Sequence, residues 1–288
     1  MGWLTKILSS LLFFLTRLIS LLPLRWLYGL SSFVAFILKR VVRYRKDVVI
    51  QNLSRAFPDL RYKEIQKIAG DFYRHFSDVF LEVIKSMSMR GGELRKRFKV
   101  ENPELLIQYH KQGLNIIGLT GHVSNWEWLS IVPSLIPFPC YTLYKPLRSK
   151  TAEGIMTRIR HHFGMKLLPM THAARHIIRN KNQSAFYIFI GDQSPANIEN
   201  AHRFNFLNQS TSFFTGGAKL ALAINAAVVY ISIRKVSRGF YNVRLIPIDT
   251  SKQNCSETDI LSTYSRLLQD DIISQPSDWL WSHKRWKH

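Results

Sequence analysis

The run Gly118-Leu119-Thr120-Gly121-His122-Val123-Ser124-Asn125-Trp126-Glu127-Trp128 sets an imidazole and a carboxylate five residues apart. An apolar, strand-like stretch leads into Gly121, so His122 falls where a strand ends and a turn begins, the place where α/β sheets gather ligand-binding side chains. On a regular helix a five-residue step turns two side chains about 140° apart, so a turn at His122 is what would bring Glu127 to the ring. An imidazole with one nitrogen held by a carboxylate presents the other as a general base. No nucleophile accompanies the pair: Gly-x-Ser-x-Gly is absent and the motif holds no cysteine, so a hydroxyl of the substrate itself would have to attack. That is the chemistry of group transfer rather than hydrolysis. The plainer alternative is a structural hydrogen bond between polar neighbours, and the spacing alone leaves both open.

Other residues of chemical interest carry less. His161, His162, His172 and His176 invite a zinc reading, with His172 and His176 one helical turn apart. No His-Glu-x-x-His and no neighbouring carboxylate or thiolate completes such a site, so no metal is expected. Neither Gly-x-Gly-x-x-Gly nor Gly-x4-Gly-Lys-Ser/Thr occurs among the 14 glycines, and no cofactor is expected. Near the C-terminus Trp279, Trp281 and Trp286 interleave with Lys284, Arg285 and Lys287. Such a pattern suits stacking on single-stranded nucleic acid, or a membrane interface. A nucleic-acid-binding protein is therefore the rival from another class, although an apolar N-terminus is poor company for it.

The elements that must position these residues can be read from the whole chain. Its 288 residues suffice for a sizeable core, and 46% hydrophobic residues with 20% charged describe a folded chain. Forty Lys and Arg against 19 Asp and Glu leave a formal charge of +21, which calls for an anionic partner or surface. Two cysteines, Cys140 and Cys255, are too few for a disulfide framework and fit a reducing compartment. Residues 7–38 are mostly apolar but interrupted by Arg17, Pro23 and Arg25, so one tilted helix or two interfacial helices fit better than a deep hairpin. No Ala-x-Ala follows, so cleavage is not expected. Five positive charges within residues 39–46 then favour anionic headgroups on the cytoplasmic side. Residues 1–46 are thus read as a membrane anchor with a basic flank, and residues 47–288 as one domain.

Within that domain, residues 47–90 carry helical periodicity broken at Phe57-Pro58-Asp59, giving two helices. Beyond Gly91-Gly92, apolar β-rich runs at 114–120, 140–144, 184–190, 227–234 and 241–248 alternate with helical stretches. Near-continuous apolar strands imply a central, mostly parallel sheet with helices on both faces. Residues 213–223 read as a loop entering a helix of small side chains. Asp192 and Gln193 close the apolar run 186–190, where such a fold takes site residues from a second strand; a turn before Pro195 is the plainer reading.

Gly121-His122-x4-Glu127 resembles the first block of the glycerolipid acyltransferase superfamily. Residues 52–58 (Asn-Leu-Ser-Arg-Ala-Phe-Pro), Tyr144-Lys145-Pro146, Arg158-Ile159-Arg160 before Phe163-Gly164, Gly191-Asp192-Gln193, Phe213-Phe214-Thr215-Gly216 and the Trp281 to Lys287 run resemble its lipid A biosynthesis branch, in order. The resemblance implies a glycerolipid-acyltransferase-like fold and a membrane-bound enzyme at the cytoplasmic face of the bacterial inner membrane. Its acyl donor would be an acyl carrier protein thioester, and its acceptor a hydroxyl of a phosphorylated lipid A precursor. His122 would be the base and Glu127 its orienting carboxylate, with no acyl-enzyme. Arg158 and Arg160 would grip the acceptor's phosphate, a task suited to guanidinium, with Lys145, Asp192 and Gln193 lining the substrate site. A solvated basic helix face is the plainer reading of the arginines. A sibling enzyme acting on a lysophospholipid or aminoacyl lipid is the nearest alternative, and a monomer is the default. One departure stands out: where the superfamily commonly has a proline in its last block, this chain reads Val228-Val229-Tyr230-Ile231-Ser232.

Overall fold

The computed structural model describes residues 3–195, 201–251 and 254–286; Lys287, the last residue of the C-terminal basic run, lies outside them. In chain order the elements are α1 (Trp3–Leu21), α2 (Leu24–Phe36), a π-helical turn (Ile37–Val41), α3 (Lys46–Ala56), α4 (Tyr62–Lys85), α5 (Gly91–Arg97) and β1 (Phe98–Val100). There follow α6 (Glu104–Lys111), β2 (Ile116–Thr120), a 3-10 segment (Trp126–Leu135), β3 (Cys140–Tyr144), α7 (Lys150–His161), β4 (Lys166–Pro169) and α8 (Met170–Arg179). The chain closes with β5 (Phe186–Ile190), the hairpin β6 (His202–Phe206) and β7 (Gln209–Phe213), α9 (Gly216–Ala223), β8 (Ala227–Ser237), β9 (Phe240–Ile248), α10 (Glu257–Ser274) and a 3-10 turn (Pro276–Asp278).

The main sheet has the order β1-β9-β8-β2-β5-β3-β4, parallel throughout except for the antiparallel pair β8 and β9. The expected α/β architecture with a mostly parallel sheet is therefore what the chain adopts, and five of its strands begin within two residues of the expected positions. The short edge strands β1 and β4 and the β6-β7 hairpin escaped the sequence reading, because three to five half-exposed residues carry no apolar run.

Period-two alternation distributes the central strands between two cores. Ile117, Leu119, Tyr187, Phe189, Val228 and Tyr230 face α8, α9 and α10. Ile116, Phe186, Ile188, Val229 and Ile231 face α2, α5, α6 and the 3-10 segment. Helix α4 joins the two: Ile65, Ala69, Phe72 and Tyr73 enter the first core and Leu81 the second.

Among the described residues no single helix is long and apolar enough to cross a bilayer. Ser10–Leu21 and Leu24–Val41 meet that requirement only together, bent by 120° at their junction. Pro23 explains the bend, since it lacks an N–H and drives the residue before it out of the helical region. Helix α2 buries Leu24, Leu27, Ser31 and Ala35, and its Tyr28 hydroxyl donates to Glu82 of α4 at 2.9 Å. Its opposite side leaves Trp26, Leu30, Phe33 and Phe36 exposed, continuous in character with Leu11, Leu12, Phe14, Leu15 and Leu18 of α1.

The C-terminal tail turns back into the molecule. Trp279 and Trp281 are buried, and Trp286 donates to Thr211 Oγ1 at 2.8 Å, so these rings are core rather than stacking platforms for nucleic acid. Asn52 of α3 holds the tail with one amide, donating to the carbonyls of Trp281 and His283, both at 2.9 Å. Asn52→Ala leaves the Trp281 carbonyl without its donor and the His283 carbonyl with only the Arg285 N–H, and is expected to cost about 1–3 kcal/mol, read as a lowered midpoint in chemical denaturation of the detergent-solubilised protein. An unchanged midpoint would show that the tail is not held there.

Candidate active site

Strand pairing, not local spacing, builds the site. Strands β2 and β5 are parallel neighbours with Thr120 opposite Ile190, and the Gly191 amide continues the ladder to the Thr120 carbonyl at 3.0 Å. Two residues beyond each strand end, His122 and Asp192 therefore stand side by side. The imidazole Nδ1 lies 2.6 Å from Asp192 Oδ1, and the backbone N–H of His122 donates to Oδ2 at 2.8 Å. Gly121 makes the approach possible: a methyl there would fall 2.6 Å from Leu268 and 3.2 Å from the Asp192 carboxylate. The Tyr264 hydroxyl of α10 caps the end of β2 by donating to the Thr120 carbonyl at 2.8 Å.

Asp192 is 2% exposed, and Trp279 Nε1 donates to its Oδ2 at 2.7 Å. Burial alone would raise its pKa, but the His122 charge and the bonds from His122 and Trp279 outweigh burial and hold it at about 2. The ionised carboxylate fixes the proton on Nδ1 and leaves the Nε2 lone pair free. Nε2 faces the half-open side of the site, 3.4 Å from Gln193 Nε2, and Trp126 packs edge-on against the ring at 5.0 Å between centroids.

The loop after His122 is held from beneath. Ser124 adopts a left-handed conformation with φ of 52°, unusual for a residue with a Cβ. Both its backbone groups are tied down: its N–H donates to the Asp278 carbonyl at 2.8 Å, and its carbonyl lies 3.3 Å from His75 Nε2. Next in line, Asn125 caps the 3-10 segment and donates to Glu82 Oε2 at 2.7 Å, where the Tyr241 hydroxyl also donates at 2.8 Å. Burial pushes the Glu82 carboxyl upward despite these donors.

The carboxylate expected to hold the imidazole, Glu127, is engaged elsewhere. Arg160 of α7 grips it bidentately, Nε to Oε2 at 2.9 Å and Nη2 to Oε1 at 2.6 Å. The expectation fails because the 3-10 segment begins at Trp126 and leaves Glu127 facing α7, while the neighbouring strand supplies a nearer acid. Burial would lower the Arg160 pKa, yet the Glu127 contact raises it overall, so the guanidinium is a fixed charge with its Nη1 uncommitted in that pair. Arg158, expected beside it on the acceptor's phosphate, lays its guanidinium over Phe13 of α1 at 4.2 Å. Lys145 is exposed in the loop after β3, on the same strand-end edge of the sheet as His122 and Asp192. A small crevice of about 40 Å³ opens by the Glu127–Arg160 pair, with Leu129, Leu143, Met165 and Ile190 in its walls.

The His162 Nε2 meets the Met89 carbonyl at 3.1 Å and His176 packs on Tyr141; among the described residues no group of three or more ligand-type side chains could hold a metal. The tail contributes what the sequence reading missed. Besides the Trp279 bond to Asp192, the Leu280 amide donates to the His122 carbonyl at 3.1 Å and the Ser194 amide to His283 Nε2 at 3.2 Å. Aromatic and cationic residues at a chain end point equally to a surface, so nothing in the pattern marked Trp279 as the donor that braces a buried acid.

The family described as bacterial lipid A biosynthesis acyltransferase matches residues 3–288. The chain is 20% identical over 269 residues to the lipid A biosynthesis palmitoleoyltransferase of Escherichia coli (strain K12), covering 92% of this chain and 86% of that protein. The lipid A biosynthesis acyltransferase of Shigella flexneri is similar to the same extent. A solved structure, the 1-acyl-sn-glycerophosphate acyltransferase PlsC from Thermotoga maritima, superposes with a TM-score of 0.41 at 14% identity, covering 89% of this chain and 99% of that one.

The Asp192 environment sets a pH dependence. A carboxyl depressed to about 2 contributes stability that is full above its unfolded value near ~3.9 and is lost as pH falls through the folded value. Trp279→Phe removes one donor, raises the folded pKa and narrows that window. Acid unfolding, followed by tryptophan fluorescence, is expected to begin at a higher pH in the variant than in the parent.

Proposed function

We propose, from the premise that this chain belongs to the bacterial lipid A biosynthesis acyltransferase family and is an acyltransferase, that it moves a fatty acyl group from an acyl carrier protein thioester to a hydroxyl of a phosphorylated lipid A precursor. The observation that carries the mechanism is the His122–Asp192 pair, with Nε2 open toward the site. The acceptor hydroxyl displaces the weak Gln193 contact and gives its proton to Nε2. Its oxygen attacks the thioester carbonyl carbon, and a tetrahedral oxyanion forms. Collapse breaks the carbon–sulfur bond, and the imidazolium returns the proton to the departing thiolate. An ester and a free thiol result, with no bond to the enzyme at any stage.

Asp192 stabilises the imidazolium and fixes the ring's tautomer. Glu127 acts at one remove, by holding Arg160 rigid so that its remaining N–H groups can meet the oxyanion or an acceptor phosphate; aimed donors of this kind are worth roughly 2.7–4 kcal/mol each. The crevice walls Leu129, Leu143, Met165 and Ile190 suit the first methylenes of the acyl chain. The formal charge of +21 suits two acidic substrates, and Lys145 adds to it at the mouth of the site. The exposed apolar sides of α1 and α2 support attachment to the inner membrane, with the domain on its cytoplasmic face.

The test is acyl transfer in membranes carrying the chain, with acyl carrier protein thioesters of several lengths and a labelled phosphorylated lipid A precursor. His122→Ala is expected to lower turnover at least about a thousandfold and Asp192→Asn about ten-thousandfold. Transfer to a different lipid that still requires His122 would keep the mechanism and replace the acceptor; activity surviving His122→Ala would end it. In the same assay Glu127→Gln is expected to lower kcat about 10–100-fold, and less than Asp192→Asn, because it loosens Arg160 without touching the base.

A further inference from the structure

A second charged feature lies away from His122, where the apolar N-terminal helices meet the domain. Two neighbouring hollows of about 140 and 560 Å³ lie along the first half of α4, the smaller against the π-helical turn and the start of α3, the larger against the end of α2 and the π-helical turn, with Lys39 and Arg40 in the walls of both. Lys46 lines the smaller, and Lys67 and Arg74 the larger. The one carboxylate in the walls, Asp71, is taken by Arg74 at 3.4 Å. Among the described residues Lys39, Arg40, Lys46 and Lys67 have no carboxylate within ion-pairing distance. Gly70 leaves room for the Lys39 ammonium against α4; a Cβ there would meet Nζ, the end of a flexible side chain, which would have to swing aside. Three unpaired cations line each hollow, Lys39 and Arg40 being common to both, a standing repulsion that a phosphate would relieve.

What distinguishes this cleft from a general basic surface is its rim. Phe36 forms part of the wall and is 56% exposed, and Phe33, Val41 and Val42 beside it are exposed as well. They continue the uncovered apolar side of α2 toward Leu30 and Trp26. A ligand seated there would present a phosphate to the cations and hydrocarbon to the phenylalanines. We infer that the cleft between the π-helical turn, α3 and α4 is a binding site for the phosphate of an anionic membrane phospholipid whose acyl chains lie along α2. An acidic protein surface or a nucleic acid would satisfy the cations but leave Phe33, Phe36, Val41 and Val42 facing water. The loop bearing His122 rests on α4 further along, at His75 and Glu82, so the site is separate from the reacting groups and the inference stands whether or not the acceptor lipid is correctly named.

The experiment titrates the detergent-solubilised chain with phosphatidylglycerol or phosphatidylcholine and counts retained lipid by native mass spectrometry. The parent is expected to retain phosphatidylglycerol with at least about tenfold preference. Lys39→Gln/Arg40→Gln/Lys67→Gln should abolish that preference. Lys111→Gln/Lys181→Gln/Arg244→Gln, which removes the same charge from exposed positions elsewhere, should keep it. Gly70→Asp sets a carboxylate against Lys39 without removing a cation; it should also abolish the preference, and thermal melts establish that each variant is folded. Equal losses in both triple variants would reduce the cleft to diffuse charge and overturn the inference. So would displacement of the lipid by millimolar inorganic phosphate, or weakened binding of acyl carrier protein by the cleft variants with lipid retention unchanged.

Discussion

The contact between Asp192 and His122 is the constraint to which the surrounding structure answers. A carboxylate 2% exposed is tolerable only if charge and hydrogen bonds replace the water it has lost. Four groups do so: the imidazole, the His122 amide, the Trp279 indole and, at longer range, the buried Arg285 guanidinium. Each comes at a structural cost elsewhere. The amide requires Gly121, the indole requires that the chain end fold inward past β2, and the folded tail must itself be held, by Asn52 from α3 and by Arg45, which donates to the Ser282 carbonyl at 2.9 Å. Elements more than two hundred residues apart in sequence thus serve one buried charge.

Helix α4 is the second organising element. Its buried face carries Asp78 and Glu82, expensive residues in a core, and both are fully used. Asp78 meets Arg238 bidentately at 2.6 and 2.9 Å and accepts from Ser31, tying α2 to the β8-β9 turn. Glu82 binds Tyr28 of α2 and Asn125 of the active-site loop through its two oxygens. One helix therefore connects the apolar N-terminal pair to the segment that bears His122. Tyr28 of α2 and Asn125 thus meet at a single buried carboxyl.

The architecture was readable because it rests on local apolar patterning. Continuous apolar runs marked β2, β3, β5, β8 and β9, and the break at Phe57-Pro58-Asp59 marked the gap between α3 and α4. The two glycine-bounded strand ends likewise placed His122 and Asp192 at a candidate site. Their partnership was not readable, because it depends on β2 pairing with β5 and on the register of that pairing, which no spacing in the chain records. Glu127 looked like the orienting acid for the same reason: proximity in sequence stood in for proximity in space. Arg160 could be placed near the site, but its counter-ion could be assigned only once α7 and the 3-10 segment were seen to face one another.

The choice of partners follows from counting charges in low dielectric. Two acids, Asp192 and Glu127, and two bases, His122 and Arg160, occupy neighbouring ground. Were Glu127 to hold His122, Asp192 would be left buried with one indole, one amide and the more distant Arg285, and Arg160, itself 21% exposed, would lose the carboxylate it grips. The observed pairing leaves neither acid unmatched. It also separates tasks: the acid that is buried and depressed to about 2 serves the group proposed to gain and lose a proton, while the more accessible acid serves the group whose charge never changes. An imidazole backed by a permanently ionised carboxylate can accept a proton without any rearrangement of its support, and a guanidinium locked at two nitrogens can direct the third. Both properties reside in the pairing itself, and a chain that kept the same four residues but exchanged partners would lose them.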